Sequence, residues 1–279
     1  MITTFLMGGL GNQLFQIFTT ISYALQNKKP FFFTNETVLT SGVHRPTYWT
    51  TFLKSLKSFT RDKSMYYNLK MVKEQSFNYS NIEGNQDNIL LYGYYQSYLY
   101  FDSQYNNIIK FINLNKQQDE LMSKYDYFND NITISMHFRL GDYVEKQNCH
   151  PLMPLQYYIN SINNIIDKVE NNKKIIIIYF YEKNDEKKIL NNVKLLKNKY
   201  PNIEFIPVDS KLEDWEQMLL MSLCKHNIIA NSSFSWWGAY FNRNNDKVVC
   251  YPNKWFGPEL ENNNTKDLFP NSWNCININ

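Results

Sequence analysis

The feature that most limits the fold of this chain is an alternation of short apolar segments with helical stretches from residue 132 onward. The predicted helices lie near 154–170, 185–199, 213–225 and 233–242, and the predicted strands are ITISMHFRL, KIIIIYFY, IEFIPV, NIIAN and KVVCYP. Apolar strands separated by helices are typical of a parallel sheet that is covered on both faces. We therefore expect a doubly wound α/β domain in this half of the chain.

The chain opens with a second β-α-β pattern. The strand ITTFLM is followed by the turn GGLG, a helix from about Asn12 to Gln26, and the strand PFFF. The next hundred residues are less regular, with a possible strand at 89–94. Because 279 residues suffice for two domains, the sequence predicts an N-terminal α/β domain over 1–128 and a C-terminal one over 129–279. The boundary is expected in the polar region 113–131.

Charge and cysteine content exclude several classes of protein. A formal net charge of +3, from 29 basic and 26 acidic residues, argues against a nucleic-acid-binding protein. The four cysteines form neither a C-x-x-C pair nor a zinc-ligand spacing, so we expect reduced thiols in a cytoplasmic protein. No signal peptide is evident, and the longest strongly apolar run, 175–181, is too short to cross a bilayer. Any membrane association is expected to be peripheral.

The segment ITISMHFRLGDY, residues 132–143, contains the first candidate site. In a strand, Ser135, His137 and Arg139 would share one face. The carboxyl end of such a strand is where open α/β sheets bind their ligands. Gly141 would then turn the chain and place the Asp142 carboxylate at the rim. The competing interpretation is a solvated edge strand with ordinary alternation.

The segment NIIANSSFSWWGAYF, residues 227–241, contains the second candidate site. A strand is predicted to end at Asn231, and serines then stand at the entry of a helix, where free N–H groups and the helix dipole favour an anion such as a diphosphate. In the competing interpretation the serines only cap the helix and the tryptophans only pack. The candidate binding residues are Asn231, Ser232, Ser233, Phe234, Ser235 and Trp236.

The turn GGLGNQLFQ, residues 8–16, is the third candidate. Gly9 and Gly11 would let the backbone approach a ligand closely, and Asn12 and Gln13 offer amide groups. Leu14 stands where G-x-G-x-x-G needs its third glycine, so an NAD-dependent Rossmann enzyme is not supported. The sequence also contains no Asp-x-Asp to hold a metal on a diphosphate.

Taken together, GGLGNQLFQ, HFRLGDY and NSSFSWWGA resemble, in this order, the alpha-1,2-fucosyltransferase family, glycosyltransferase family 11. Weaker similarities at YGYYQSYLYF, MSLCKHNIIA, YPNKWF and FPNSW extend the resemblance over nearly the whole chain. The resemblance implies a GT-B-like fold with two Rossmann-like doubly wound domains facing a cleft, and no metal or other cofactor. It also implies inverting transfer of L-fucose from GDP-fucose to the 2-hydroxyl of a terminal beta-galactose on a glycan.

An inverting transfer of this kind needs a stabilised leaving group and a base for the acceptor hydroxyl. We expect Arg139 to bind the departing diphosphate through its planar guanidinium, assisted by the helix entry at 232–235. His137 would orient the phosphates or the sugar. Asp142 is the candidate base, with Glu145 and His150 as alternatives.

Two positions depart from the family pattern. Many members carry a second arginine directly after that of the H-x-R segment, where this chain has Leu140. Many also carry Ser-Asp-Asp after the following strand, where this chain reads FYEKND and offers Glu182 or Asp185 instead. These departures leave open a transferase for another GDP-sugar or acceptor hydroxyl, and a non-catalytic homologue that binds a nucleotide sugar or a glycan.

Overall fold

The computed structural model of the protein describes residues 1–169 and 173–278. The chain divides into two compact units. The first comprises Met1–Lys116 with Asn263–Pro270, and the second comprises Gln117–Asn262 with Asn271–Asn279. The first division, at 116/117, lies within the predicted region 113–131 but precedes the predicted domain end at 128. The return of 263–270 to the first unit was not predicted.

The first unit is built on a small parallel sheet whose strand order is β1-β7-β6. Its central strand is buried and pairs Ile89 with Ile2 of β1 and with Lys70 of β6. Helix α1 starts two residues before the predicted Asn12, because Gly9 takes an extended conformation and caps it. The elements are β1 Ile2–Thr4, α1 Leu10–Gln26, β2 Phe33–Thr34, β3 Val38–Leu39, β4 Arg45–Pro46, β5 Thr60–Arg61, β6 Lys70–Lys73, β7 Ile89–Tyr92 and α2 Tyr105–Phe111.

Hydrogen bonds explain why the units divide where they do. Helix α3, Leu114–Met122, occupies the region predicted as polar boundary. Its buried Gln118 donates to Ser222 Oγ at 2.7 Å and to the main-chain oxygen of Phe241 at 3.0 Å, so most of α3 belongs to the second unit. In the first unit, Ser97 Oγ donates to the main-chain oxygen of Asp267 at 2.6 Å, which holds the returning segment 263–270.

The second unit contains a six-stranded parallel sheet with the order β10-β9-β8-β11-β12-β13. The five predicted strands are present with shorter bounds, and β13 was not predicted. The predicted helix 154–170 ends at Ile166, and residue 170 itself lies outside the described residues. The elements are β8 Ile132–His137, α4 Leu155–Ile166, β9 Ile175–Phe180, α5 Glu186–Lys199, β10 Ile203–Pro207, α6 Asp214–Leu223, β11 His226–Ile228, α7 Ser233–Tyr240, β12 Val249–Pro252 and β13 Asn274–Ile276.

Strand β8 lies in the interior of this sheet, so the edge-strand interpretation is wrong. On one face Ile134 and Met136 join an apolar core with residues of α4 and α5. On the other face Asn227 Nδ2 donates to Ser135 Oγ and to the main-chain oxygen of Met221 in α6, both at 2.8 Å. Helices therefore cover both faces, as predicted for a doubly wound domain.

Across residues 1–169 and 173–278, none of the helices combines the length and the apolar character needed to cross a bilayer. The four cysteines, Cys149, Cys224, Cys250 and Cys275, are unpaired thiols.

Candidate active site

The carboxyl end of β8 places His137 at the edge of the sheet. The strand stops at this residue, so Arg139 lies in the loop that follows and not on the strand face as predicted. His137 is 6% exposed, and burial, with a smaller effect of Arg139, lowers its pKa to about 3. Its Nδ1 has no hydrogen-bond partner within the described part of the chain. A neutral imidazole with an unused nitrogen therefore stands here.

Arg139 is held by acidic side chains on two of its terminal nitrogens. Nη1 forms an ion pair with Glu182 Oε1, and Nη2 lies 2.5 Å from Asp142 Oδ1. The guanidinium carbon sits 4.7 Å from the centre of the Tyr143 ring, and the side chain is 18% exposed. Asp142 Oδ2 also lies 3.5 Å from Lys146 Nζ. The predicted base is thus engaged by two cations.

The register of the sheet explains the contact between Arg139 and Glu182. His137, the last residue of β8, pairs with Phe180, the last residue of β9. Arg139 and Glu182 each lie two positions further along the chain. Gly141, which follows Arg139 in the loop after β8, has φ +44°, and a Cβ there would lie 2.6 Å from Glu182 Oε2. The Gly141 N–H donates to Asp185 Oδ2 at 2.7 Å. Both acidic residues of the FYEKND segment therefore contact the HFRLGDY loop.

Tyr143, to which sequence reasoning gave no role, connects the two motifs of the second unit. Its hydroxyl donates to the main-chain oxygen of Asn231 at 3.2 Å. Its ring stacks on His150, with centroids 4.6 Å apart and planes at 15°. The only sequence feature that could have indicated a role for Tyr143 was its position directly after Gly141 and Asp142.

His150 and Glu145, the two alternative bases, differ in their surroundings. Glu145 is exposed. His150 is half-buried, and burial lowers its pKa, although the nearby Asp142 carboxylate acts in the opposite direction. Neither ring nitrogen of His150 makes a hydrogen bond to any residue that the structure describes. Its imidazole is therefore neutral near pH 7, and its ring contacts are those with Tyr143 and with Phe256, whose centroid lies 5.9 Å away.

The entry of helix α7 forms as predicted. Ser232 caps the helix, and its hydroxyl accepts from the Phe234 N–H at 3.3 Å. Ser235 Oγ donates to the main-chain oxygen of Ser232 at 3.3 Å, and Ser233 begins the helix. The Phe234 ring lies 5.7 Å from the His137 ring, which brings the HFRLGDY and NSSF segments together at neighbouring strands.

The side chains of Asn231 and Trp236 contact other parts of the second unit. Asn231 Nδ2 donates to the main-chain oxygens of Pro151 at 2.9 Å and Trp255 at 3.1 Å. Its Oδ1 is buried without a hydrogen-bond partner among the described residues. Trp236 is fully buried and stacks on Tyr240 at 4.6 Å. The ring of Trp236 therefore packs in the core, and its role as a nucleotide-sugar-binding residue stays a prediction.

The GGLGNQ turn, residues 8–13, lies in the first unit and follows β1, which ends at Thr4. Gly8 has φ +79°, and a Cβ there would lie 2.5 Å from Asn12 Nδ2. A Cβ at Gly9 would meet nothing within 4 Å, so the backbone is open to close approach at this residue. Buried Gln13 donates from Nε2 to the main-chain oxygens of Gly8 at 3.0 Å and Pro46 at 2.9 Å.

Other side chains complete the turn. Asn12 Oδ1 accepts from Gln96 Nε2 at 2.9 Å, and Gly11 is buried in the first turn of α1. Gln16, which sequence reasoning missed, accepts from the Met7 N–H at 3.0 Å and donates to the Met7 oxygen at 3.3 Å. The glutamines of GGLGNQLFQ therefore hold the turn that the glycines allow.

Comparison with known proteins identifies relatives. The model of Glycosyl transferase family 11 matches residues 1–277. The O-antigen biosynthesis glycosyltransferase WbnK of Escherichia coli is 32% identical over 191 residues, which are 66% of this chain and 59% of that protein. The Alpha-1,2-colitosyltransferase of Escherichia coli is 31% identical over 191 residues, 65% of this chain and 60% of that protein. The matched region thus spans about three fifths of each relative's length.

Among solved structures, a mutant of FUT1 from Arabidopsis thaliana in complex with GDP aligns with a TM-score of 0.51 at 10% identity. The alignment covers 96% of this chain and 74% of that one. The likeness concerns the fold alone, and with the parallel sheets described above it confirms the predicted GT-B-like α/β class.

Proposed function

The chain belongs to glycosyltransferase family 11, and from this premise we propose that it transfers L-fucose from GDP-fucose to the 2-hydroxyl of a terminal beta-galactose, with inversion. The observation that carries the proposal is the meeting of the HFRLGDY and NSSF segments at the carboxyl ends of neighbouring strands β8 and β11. Open α/β sheets bind their ligands at this edge. The name of the alpha-1,2-colitosyltransferase relative supports the linkage.

The donor diphosphate is proposed to bind between Arg139 and the entry of helix α7. The guanidinium supplies a planar pair of donors, and the first turn of α7 supplies backbone N–H groups and the positive end of the helix dipole. His137, neutral at its low pKa, would hydrogen-bond to a phosphate or sugar oxygen without adding charge. Gly9, Gly11, Asn12 and Gln13 of the GGLGNQ turn stay candidate nucleotide-sugar-binding residues of the first unit, where a Cβ at Gly9 would meet nothing within 4 Å.

In the reaction, the acceptor hydroxyl oxygen forms a bond to the anomeric carbon as the bond from that carbon to the GDP oxygen breaks. The hydroxyl proton must pass to a base. We favour His150 over Asp142 for this step, because Asp142 would have to leave two cations to accept a proton. The imidazole of His150 has no such partner and is neutral near pH 7.

The reaction is proposed to need no metal ion, since Arg139, Lys146 and the α7 dipole can meet the charge of the leaving diphosphate. The four unpaired thiols support a cytoplasmic location for the enzyme.

A donor-by-acceptor screen tests the proposal. GDP-fucose, GDP-colitose and GDP-mannose are each incubated with lactose, N-acetyllactosamine and galactose, with and without EDTA, and the product linkage is determined by NMR. We expect an alpha-1,2-fucosyl product in both conditions. Preferential use of GDP-colitose or another linkage would correct the specificity. Nucleotide binding without turnover for any pair would favour the non-catalytic alternative.

A further inference from the structure

We propose that Glu182 competes with the donor diphosphate for Arg139 and so sets the affinity of the protein for its nucleotide. This inference rests on the proposed function, in which Arg139 binds the diphosphate. It concerns Glu182, which lies two positions beyond the end of strand β9. Glu182 acts through Arg139 and is therefore a positioning residue.

The contacts of Arg139 are the first part of the argument. A guanidinium binds a phosphate best through two parallel N–H groups. Both terminal nitrogens of Arg139 already bind carboxylates, Nη1 that of Glu182 and Nη2 that of Asp142, while Tyr143 covers one face of the group. Any two parallel N–H groups of the guanidinium include one on Nη1 or Nη2, so a bound diphosphate must share at least one of these nitrogens with a carboxylate.

Glu182 is the carboxylate that can be displaced. Asp142 lies in the same loop as Arg139 and is also held by Lys146 at 3.5 Å. Glu182 follows a different strand, is 49% exposed, and pairs with no second cation among the described residues. Water can replace its arginine partner at little cost. Its removal from Nη1 would leave the Asp142 contact intact and open one side of the guanidinium.

Local charge gives the direction of the effect. The two cations Arg139 and Lys146 lie beside three carboxylates, those of Asp142, Glu182 and Asp185, so the carboxylates offset the attraction of the cations for a diphosphate. Removing the charge of Glu182 makes the potential at the Arg139 nitrogens more positive, because Glu182 pairs directly with Nη1. The nucleotide should therefore bind more tightly to a variant that lacks this carboxylate, which is the opposite of what the loss of a ligand-binding residue would cause.

The test measures GDP binding by calorimetry. Glu182→Gln should lower the Kd for GDP by about tenfold at low ionic strength and by less in high salt. The KM for the nucleotide sugar should fall in parallel. Glu182→Ala should shift both values in the same direction, which protects the test against an effect of the glutamine amide. Glu186→Gln is the matched control, since it removes the same charge nearby from a carboxylate that instead accepts from Tyr181 at 3.1 Å.

A double-mutant cycle separates competition from a general change of field. In an Arg139→Ala background the gain from Glu182→Gln should shrink to about that of Glu186→Gln, because only the change of field remains. If the full gain persists there, or if Glu186→Gln gives the same gain in the wild-type background, the inference is wrong. Equal or weaker GDP binding by both Glu182 variants also overturns it while leaving the proposed function intact. If the wild-type protein binds no GDP, the proposed function fails and this inference fails with it.

Discussion

The hydroxyl of Tyr143 donates to the main-chain oxygen of Asn231 at 3.2 Å and so joins the loop after β8 to the loop after β11. The same ring lies 4.7 Å from the Arg139 guanidinium carbon and 4.6 Å from the His150 ring. One side chain therefore holds together the proposed phosphate ligand, the proposed base and the entry of helix α7.

Removing the Tyr143 hydroxyl tests this connection. We expect Tyr143→Phe to weaken GDP binding by about fivefold, because it loses a single hydrogen bond while keeping the ring under Arg139. Tyr143→Leu should weaken binding further, since the cation–π contact is lost as well. Calorimetric titration of both variants measures the difference. Equal affinities for the two variants would show that the ring contributes nothing.

Arg139→Ala should weaken GDP binding by at least about tenfold and abolish transfer, because a charged donor to the diphosphate is removed. The circular dichroism spectrum should not change. Arg243→Ala provides the control, since Arg243 forms an ion pair with Asp119 in the same unit but has no proposed role in binding. Unchanged GDP affinity in Arg139→Ala would exclude the phosphate role.

The identity of the base can be read from two variants and a pH profile. His150→Asn should lower kcat by about a hundredfold or more with little change in the KM for the donor. Asp142→Asn should lower it less. In the wild-type protein the rate should be constant above the usual histidine pKa and should fall at a lower pH, because burial lowers the pKa of His150. A larger loss of kcat in Asp142→Asn would return the role to the aspartate.

Two buried histidines make the fold sensitive to acid. Burial lowers the pKa of His137 to about 3 and that of His226 to about 4, whereas in the unfolded chain both should titrate near ~6.5. Between these values the unfolded state binds more protons, so the free energy of unfolding is undiminished above ~6.5 and falls as the pH drops.

Each histidine should contribute a slope of up to about 1.4 kcal/mol per pH unit. Urea denaturation across this interval measures the slope. His226→Gln should reduce the slope of the unfolding free energy by up to about 1.4 kcal/mol per pH unit, because the variant removes one of the two titrating histidines. If the variant and the wild-type protein show the same slope, the pKa of His226 does not differ between the folded and the unfolded chain.

Gly257→Ala should destabilise the second unit. A Cβ at this position would lie 2.2 Å from the main-chain oxygen of Asn148, so the backbone would have to move. We expect a loss of about 1–3 kcal/mol in the free energy of unfolding. Gly84→Ala is the control, since a Cβ there meets nothing within 4 Å and Gly84 lies in a turn outside the helices and strands. Equal midpoints for Gly257→Ala and the wild-type protein would contradict the close contact.

Local signals predicted the parts of the site that depend on neighbouring residues. Ser232 caps α7 because its hydroxyl reaches the N–H two residues later, and that relation is visible in the sequence. The contact between Arg139 and Glu182 was not visible in this way. It depends on the register in which His137 pairs with Phe180, and this register is set by packing across the sheet.

The course of the chain between the units was also beyond sequence reasoning. The segment 263–270 has no periodic pattern that assigns it to either unit. It belongs to the first unit because Ser97 and the Tyr79 N–H bond to Asp267. Such pairings between distant segments are decided only in the folded chain.

The chain passes between the units at 116/117, 262/263 and 270/271, and this has a consequence for the design of chimeric proteins. Neither unit is a single continuous stretch of the chain. A chimera made with one junction near residue 116 would take residues 1–116 of the first unit from one parent and Asp267 from the other. Exchanges between family members would preserve these pairings only if residues 263–270 travel with the first 116.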